Sequence, residues 1–289
     1  MVAKTCNSKA DFGSVTGRVT GRLTGTGIER RIAASGGIMT DTSDSNARLQ
    51  LGGQTVVVIG GTSGIGLETA RRARAQGAAV ILTGRDPGRL EQAGRDVEAA
   101  STSAFDATDG PSLQRFFKEL PTPIDHVMVT AGGSYYSPLA TMDLSQVRRA
   151  IDEHIVLVLS VAQAAMGRVR PGGTLIFMTG TDARRPQVGS SIAGLFAAAL
   201  PALIGNLALE LGPIRANLIA AGFVDTPLSA SLLGDQLEKR RDQLRASLPI
   251  GRVVEPTDVA ALAVQLMANT ALTGGTYDID GGQKLVATA

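Results

Sequence analysis

The chain is poor in the residues that build cross-links, aromatic cores and metal sites. Its 289 residues include one cysteine, two histidines and no tryptophan, and only 3% are aromatic. The single cysteine, Cys6, excludes an internal disulfide, which fits a reducing compartment and predicts a cytoplasmic protein. No metal site is expected. No uncharged apolar run is expected to be long enough to cross a membrane, so no membrane partner is predicted.

Charge of either sign is also scarce. Charged residues make up 19% of the chain and the formal net charge is +2. The first 38 residues carry six cationic and two acidic side chains, so the remainder is slightly acidic and no nucleic-acid partner is expected. Residues 1–50 hold repeated turn formers and no apolar helical face, which predicts a disordered extension. A targeting peptide is the alternative, and Met39 could be the natural start.

Glycine is abundant, with 35 residues, and its most informative cluster follows an apolar run. Residues 55–66 read Thr-Val-Val-Val-Ile-Gly-Gly-Thr-Ser-Gly-Ile-Gly, and a helical pattern follows. This order predicts a strand, a tight turn at Gly60, close approach of a ligand at Gly64, and helix–strand packing at Gly66. Free N–H groups at the start of a helix attract anions, so the expected ligand is a nucleotide pyrophosphate.

Apolar, β-rich runs alternate with helical patterns across residues 51–289, which predicts one domain over this range. The predicted strands are 55–60, 78–84, 103–106, 126–130, 174–179, 215–220 and 276–279, and the predicted helices lie near 65–76, 87–99, 110–119, 144–168, 191–211 and 256–268. Strands that are apolar on both faces belong to a parallel sheet covered by helices. The expected fold is therefore α/β, a Rossmann-type doubly wound parallel sheet in three α/β/α layers.

The residues that end the strands indicate which nucleotide binds. Where an acid would select NAD, the second strand ends in glycine and then Arg85, and an arginine there pairs with the 2′-phosphate of NADP. The alternative is a solvated loop arginine. Asp106, with Ala107 beside it, could accept a hydrogen bond from the adenine amino group. Ala131 and Gly132 follow the fourth strand and would let the cofactor lie flat.

Taken in order, these motifs resemble the short-chain dehydrogenase/reductase (SDR) family in its compact single-domain branch. The motifs are Gly60-Gly-Thr-Ser-Gly-Ile-Gly66, Ala131-Gly132, Leu209-Glu210-Leu211, Ala221-Gly222-Phe223-Val224-Asp225-Thr226-Pro227, Gly251-Arg252, Pro256-Thr-Asp-Val259, Thr273-Gly274 and Asp280-Gly281-Gly282. The resemblance implies NADP(H)-dependent hydride transfer to or from a small-molecule substrate by a homodimer or homotetramer. It assigns cofactor contacts to Gly60, Thr62, Ser63, Gly64, Ile65, Gly66, Arg85, Asp106, Ala107, Ala131, Gly132, Gly222, Val224 and Thr226.

The catalytic set that the resemblance implies is missing. Family members use Asn, Ser, Tyr and Lys, in which tyrosine is the general acid or base and lysine lowers its pKa. Counts from two independent anchors agree on the positions in this chain. Gly180 stands at the serine position, Ala193 at the tyrosine, Ala197 at the lysine and His154 at the asparagine.

The helix that should carry the tyrosine and lysine is unusual in two further ways. Pro201 lies four residues after Ala197, so the helix is expected to kink there or to begin afresh. Small residues around Ala193 leave volume that the missing side chains would have filled. That volume either widens the pocket or lets the helix pack closely on another one, including one from a second subunit.

Three other side chains are candidates for proton transfer. His154 could titrate near neutral pH, and Tyr135 and Tyr136 follow the fourth strand in a loop that should border the substrate. A structural role is the alternative for each. The residues near the lost serine are Thr179, Thr181 and Asp182, followed by Arg184 and Arg185, which could bind an anionic substrate or form a solvated pair.

The leading functional hypothesis is an NADP(H)-dependent oxidoreductase with a non-standard acid, acting on a small carbonyl, imine or enone. An imine or activated alkene needs less proton assistance than a ketone, and general acid catalysis typically contributes about 10²–10⁴-fold. Two alternatives stay open. One is a non-catalytic NADP(H)-binding protein, and the other is a non-redox catalyst that has kept the fold.

Overall fold

The computed structural model describes residues 50–286, and the hypotheses about residues 1–49 and Met39 concern residues outside this range. The strands are β1 (Thr55–Ile59), β2 (Ala79–Gly84), β3 (Ser101–Ala104), β4 (Ile124–Val129), β5 (Val169–Gly180), β6 (Arg215–Ala221) and β7 (Thr276–Ile279). The α-helices are α1 (Gly64–Ala75), α2 (Pro87–Asp96), α3 (Gly110–Glu119), α4 (Leu144–Ile151), α5 (Leu157–Ala165), α6 (Ser191–Glu210), α7 (Pro227–Leu233), α8 (Leu237–Ser247) and α9 (Pro256–Ala268).

All seven strands form one parallel sheet in the order β3-β2-β1-β4-β5-β6-β7. The chain runs outward from β1 to β3, then returns to β4 on the other side of β1. This reversal leaves a crevice at the carboxyl ends of β1 and β4, where doubly wound sheets bind ligands. The predicted α/β fold, a Rossmann-type sheet with helices on both faces, is confirmed.

The first strand shows how the sequence builds two cores. Its side chains alternate between the faces of the sheet, as they do in any strand. Val57 and Ile59 pack in one buried cluster with α3, α5 and α6, whereas Val56 and Val58 pack in the other with α1, α2 and α9. A run of apolar residues without polar alternation is therefore what a strand covered on both faces requires.

The region predicted as one helix over 144–168 differs from the prediction. It is divided into α4 and α5 by a π-helical turn, Asp152–Val156, which contains His154. A π turn inserts one extra residue into the helical hydrogen-bond ladder and changes the direction of the side chains that follow it. The apolar periodicity of the sequence does not reveal this insertion.

The helix that contains Pro201 also differs from the prediction in one respect. It does not begin afresh at Pro201, because α6 runs without interruption through Ser191–Glu210. One face of this helix, which includes Phe196, Leu200 and Ile204, is fully or almost fully buried against the sheet. Packing of that face offsets the hydrogen bond that a proline inside a helix cannot donate.

The expectation that no apolar run could span a membrane was wrong for α6. Over 20 residues it reaches a mean hydropathy of 2.0, so its length and composition are sufficient by themselves. Its inner face packs on the sheet, and its outer face exposes apolar groups such as Leu195 and Leu209. The high hydropathy of α6 therefore has two sources, namely its buried face against the sheet and its exposed apolar face.

Candidate active-site cleft

One cleft of about 1480 Å³ opens at the carboxyl ends of the strands. It is lined by every cofactor residue that the sequence suggested, namely Gly60, Thr62, Ser63, Gly64, Ile65, Gly66, Arg85, Asp106, Ala107, Ala131, Gly132, Gly222, Val224 and Thr226. The three proton-transfer candidates, His154, Tyr135 and Tyr136, line the same cleft. We call the ends of β1, β2 and β3 the cradle half, and the ends of β5 and β6 with α6 the reacting half.

The turn between β1 and α1 requires glycine for steric reasons. Gly60 has a φ of +93°, and a β-carbon there would lie 2.6 Å from the backbone nitrogen of Ala131. A β-carbon at Gly66 would collide with the carbonyl oxygen of Gly60. The side chain of Ser63, the N-cap of α1, accepts no capping bond, so the first N–H groups of the helix face the cleft uncapped. Such a helix start binds anions.

At the end of β2, Gly84 stands where an acid would favour NAD. A β-carbon on Gly84 would collide with the side chain of Thr62, so a larger residue requires Thr62 to move. Arg85 follows at the exposed rim of the cleft, together with Arg89. Neither guanidinium makes an ion pair within residues 50–286. Two cations without an ion-pair partner among the described residues therefore stand at the strand end that contacts the adenosine ribose in dinucleotide folds.

Asp106 is held in place by its own loop. Its Oδ1 accepts hydrogen bonds from the backbone N–H of Thr108 at 2.9 Å and from the Thr108 hydroxyl at 2.7 Å. These bonds, the backbone one foremost, and the nearby charge of Arg85 hold the pKa of Asp106 below its usual value, against a smaller effect of burial. Asp106 is thus an ionised acceptor at the rim of the cleft, as recognition of an amino group needs.

A residue that the sequence reading missed shapes the end of β6. Gln283 accepts a hydrogen bond from the backbone N–H of Phe223 at 2.8 Å and lies where a β-carbon at Gly222 would be. Thr226 caps α7, because its hydroxyl oxygen accepts a bond from the Ser229 N–H at 3.2 Å. The segment after β7 therefore closes one wall of the cleft. Only the fold reveals this contact, because 60 residues separate its partners.

In the reacting half, Asp182 occupies the space that a side chain at Gly180, the expected serine position, would take. A β-carbon on Gly180 would collide with Oδ2 of Asp182, so the carboxyl group lies where a residue-180 side chain would stand. Burial raises the pKa of Asp182 above its usual value, although contacts with Tyr136 and Ser190 oppose this. Asp182 therefore keeps its proton to higher pH than an exposed aspartate.

Tyr136 lies near this carboxyl group, and 48% of the residue is exposed, so only part of its surface is shielded from water. Its pKa is raised first by burial of the phenol and then by the charge of Asp182, while the Ser134 side chain acts in the opposite direction. A lysine neighbour would lower the pKa of a tyrosine, so the electrostatic setting here is the reverse of the family pattern. Tyr136 stays protonated at neutral pH.

His154 forms part of the cleft wall. Its ring stacks on Phe196 of α6, with 4.4 Å between ring centroids and 4° between planes. Its Nδ1 lies 2.9 Å from the carbonyl oxygen of Ala150, which can only accept, so Nδ1 carries the proton. Burial lowers the pKa of His154, so the ring is neutral and Nε2 has no proton to donate.

Tyr135 and the two helix positions have distinct surroundings. The Tyr135 hydroxyl accepts a bond from the backbone N–H of Asp143 at 3.0 Å, which ties the loop after β4 to the start of α4. Ala193, at the tyrosine position, lines the cleft. Ala197, at the lysine position, is fully buried and does not line it. The small residues thus widen the cleft at Ala193 and not at Ala197.

Comparison with known proteins agrees with this geometry. Residues 59–284 match a family model described as enoyl-(acyl carrier protein) reductase. The chain belongs to the short-chain dehydrogenase/reductase family. SDR proteins bind a nicotinamide cofactor and act on small-molecule substrates, so oxidoreductase chemistry of this type is the established class for the fold.

Several relatives illustrate the range of the family. The short-chain dehydrogenase/reductase malC of Malbranchea aurantiaca is 29% identical over 253 residues, which covers 81% of this chain and 96% of malC. Its structure, described as a MalC reductase/Diels-Alderase, has a TM-score of 0.76 at 26% identity and covers 82% of this chain and 99% of its own.

Two further matches concern NADP. An NADP-dependent (R)-specific alcohol dehydrogenase of Lentilactobacillus kefiri is 26% identical, covering 81% of this chain and 97% of its own. A small-chain dehydrogenase solved in complex with NADPH has a TM-score of 0.70 at 27% identity, covering 80% of this chain and 99% of its own. The same fold thus holds NADPH in a related protein.

Proposed function

We propose that this protein is an NADP(H)-dependent oxidoreductase for a small carbonyl, imine or enone, with Asp182 and Tyr136 in place of the family's acid. The observation that carries the proposal is a single cleft. It joins a glycine-lined helix start and two unpaired arginines to an acid pair at the serine position. NADPH, when bound, supplies the hydride.

The residues of the cradle half fit this cofactor. Gly60 and Gly66 keep side chains away from the uncapped start of α1, which suits a pyrophosphate. Arg85 would hold the 2′-phosphate, while Asp106 would accept from the adenine amino group. Gly222, Val224 and Thr226 would border the nicotinamide. Relatives that use NADP or hold NADPH support the choice of NADP over NAD.

In the reacting half, Asp182 holds the proton that a carbonyl or enone must gain. Of the two groups Asp182 is the stronger acid, because Tyr136 is a phenol whose pKa is raised further by its neighbour. Tyr136 is the neighbouring phenol, which partial burial and the charge of Asp182 keep protonated. With a protonated imine as substrate, no proton donor is needed, and an ionised Asp182 would instead stabilise the cationic nitrogen.

The other two candidates take positioning roles in this proposal. His154 has no proton on Nε2 and stacks on Phe196, so it shapes part of the cleft wall. The Tyr135 hydroxyl is bonded to the backbone of Asp143 and anchors the loop that carries Tyr136. Neither side chain offers a free proton to the cleft.

The test is turnover of NADPH by the purified protein with a panel of carbonyls, imines and enones. Binding is measured first, through the change in NADPH fluorescence when protein is added. We expect NADPH to bind more tightly than NADH and to be consumed with at least one class of substrate. Tight binding without any turnover would instead support a non-catalytic NADP(H)-binding role.

A non-redox reaction on the same fold is the second candidate. It is favoured by the widened cleft at Ala193 and by a relative whose structure is described as a reductase/Diels-Alderase. Substrate conversion that continues without any NADPH would distinguish this function from hydride transfer. A bound but unconsumed cofactor would then act only as part of the cleft wall.

We also propose that the protein is a cytoplasmic homodimer or homotetramer, as the family resemblance implies. Exposed apolar side chains on α6, on α5 and directly after α5 support this assembly, because a monomer would leave them in water. They are Leu159, Met166, Leu195 and Leu209. Light scattering coupled to size-exclusion chromatography tests it, and a monomer at micromolar concentration would count against it.

A further inference from the structure

Four arginines lie near the reacting half in two adjacent pairs, and one member of each pair has a carboxylate partner. Arg184, after β5, forms an ion pair with Asp278 at 2.8 Å. Arg241, on α8, forms one with Asp225 at 2.6 Å. These two arginines are therefore accounted for by contacts within the domain.

The neighbouring residues, Arg185 and Arg240, have no such carboxylate partner among the described residues. Both are half-buried and line the cleft, and neither makes an ion pair within residues 50–286. Arg185 donates only to the carbonyl oxygen of Gln283, at 3.3 Å. Arg240 lies on the side of α8 that includes the buried Leu244, one turn further on. Both side chains thus line the cleft, and no carboxylate of the described residues balances their charge.

The charge of Arg185 also acts on Arg240. Burial, and secondly the charge of Arg185, lower the pKa of Arg240. Two like charges in a half-buried site raise the free energy of the protein unless an anion lies between them. No carboxylate in the described range supplies that anion, so the anion expected here belongs to a ligand.

The place of this pair in the sheet separates it from the 2′-phosphate site. Arg85 follows β2, three strands away from β5 in the sheet order. Arg185 follows β5, close to Gly180 and Asp182, and all of them line the one cleft. A group bound by Arg185 and Arg240 is therefore on the substrate side of the cleft.

We propose that Arg185 and Arg240 form a binding site for an oxyanion group, carboxylate or phosphate, on the substrate. This inference rests on the proposed function, because it places the anion on the molecule that is reduced or oxidised. Guanidinium groups match the oxygen atoms of both groups in bidentate pairs. An acidic substrate is consequently preferred over its neutral ester.

The direct test is calorimetric titration of NADPH-saturated protein with inorganic phosphate and, separately, with benzoate. NADPH occupies the 2′-phosphate site, so only the second site is measured. We expect binding to be weakened about tenfold or more in R185Q and in R240Q, since a charge-assisted bond is lost. The matched controls R184Q and R241Q should retain it. The two ligands show whether carboxylate or phosphate fits better.

A second measurement compares turnover of 4-formylbenzoate with that of its methyl ester. The acid should have the higher kcat/KM, and this preference should vanish in R185Q and R240Q while ester turnover is kept. Absence of anion binding to NADPH-saturated wild type, or equal binding by R185Q and R240Q, would overturn the site. If NADPH itself fails to bind, the proposed function fails. Phosphate then also reaches the start of α1, so the anion site is decided by whether R185Q and R240Q lose binding that R184Q and R241Q keep.

Discussion

The two halves of the cleft differ in what restricts their sequence. In the cradle half, Gly60 and Gly66 have neighbours so close that any side chain would collide with backbone atoms. In the reacting half, Gly180 and Ala193 stand where side chains with defined chemistry are expected. A collision with the backbone opposes any substitution of Gly60 or Gly66, whichever reaction the protein catalyses. A catalytic side chain, in contrast, can be replaced once the reaction no longer requires it. This difference would explain how one half can keep the family pattern while the other departs from it, as the counted positions predict.

The largest effect is expected in the reacting half, from Asp182→Asn. Asparagine keeps the shape of the side chain but holds no acidic proton, so turnover of a carbonyl substrate should fall by about 10²–10⁴-fold. NADPH affinity should hardly change, because the cradle half is untouched. Asp152→Asn, an exposed change on the π turn, serves as the control. An unchanged kcat in Asp182→Asn would remove Asp182 from the reaction.

The dependence of the reduction rate on pH tests whether the protonated form of Asp182 is the acid. The protonated form of Asp182 is the acid, and its pKa is raised, so reduction should proceed fully at low pH. The rate should decline as pH rises through that elevated pKa, and this limb should be absent in Asp182→Asn. A wild-type rate that stays level until the phenol range would assign the proton to Tyr136 instead.

The next effect is in the cradle half, from Gly66→Ala. The added methyl group collides with the Gly60 carbonyl, and overpacking of this kind costs about 1–3 kcal/mol. Both the thermal midpoint and the affinity for NADPH should fall. The control is Gly110→Ala at the start of α3, where a β-carbon would meet no atom of the described residues within 4 Å. Similar losses in both variants would mean that the collision with the Gly60 carbonyl is not the cause, and that replacing any glycine at the start of a helix lowers stability and affinity here.

A smaller and more selective effect is expected from Arg85→Ala. NADPH binding should weaken about tenfold or more, because a charge-assisted bond to the 2′-phosphate is lost, while NADH binding stays nearly the same. Arg95→Ala, which removes an exposed arginine paired with Glu91 on α2, is the matched control. Equal loss of NADPH and NADH binding would refute the 2′-phosphate assignment.

The same contrast governs how much the sequence could reveal. The sheet was predictable because strands such as β1 are apolar on both faces and end in glycines that mark the turn. In contrast, α8 was missed because its sequence is rich in charged residues and buries only Leu244. The π turn at His154 was missed because an extra residue in a helix leaves no mark in apolar periodicity.

In the candidate site, the residues of the cradle half were predictable from the sequence, whereas the roles of Asp182 and Arg240 were not. Residues of the cradle half follow strand ends in a fixed order, so their positions could be counted. The role of Asp182 could not, because it depends on the carboxyl group folding back over Gly180. Arg240 had no signal either. Arg240 is a candidate because Arg241 forms an ion pair with Asp225, whereas Arg240 forms none with the described residues. Only the packed structure shows this difference.

The smallest effect, and the sharpest test of the comparison, is Gly180→Ser, which restores one family residue. The new β-carbon collides with Oδ2 of Asp182, the movable end of a side chain, so the fold should tolerate it and the thermal midpoint should hardly change. The displaced carboxyl group should leave Tyr136, and the elevated pKa of Asp182 should move toward its usual value as the group becomes more exposed. The declining limb of the pH profile should therefore shift to lower pH, measured as kcat against pH beside wild type. A limb that stays in place would show that Asp182 does not depend on the space left by the missing serine.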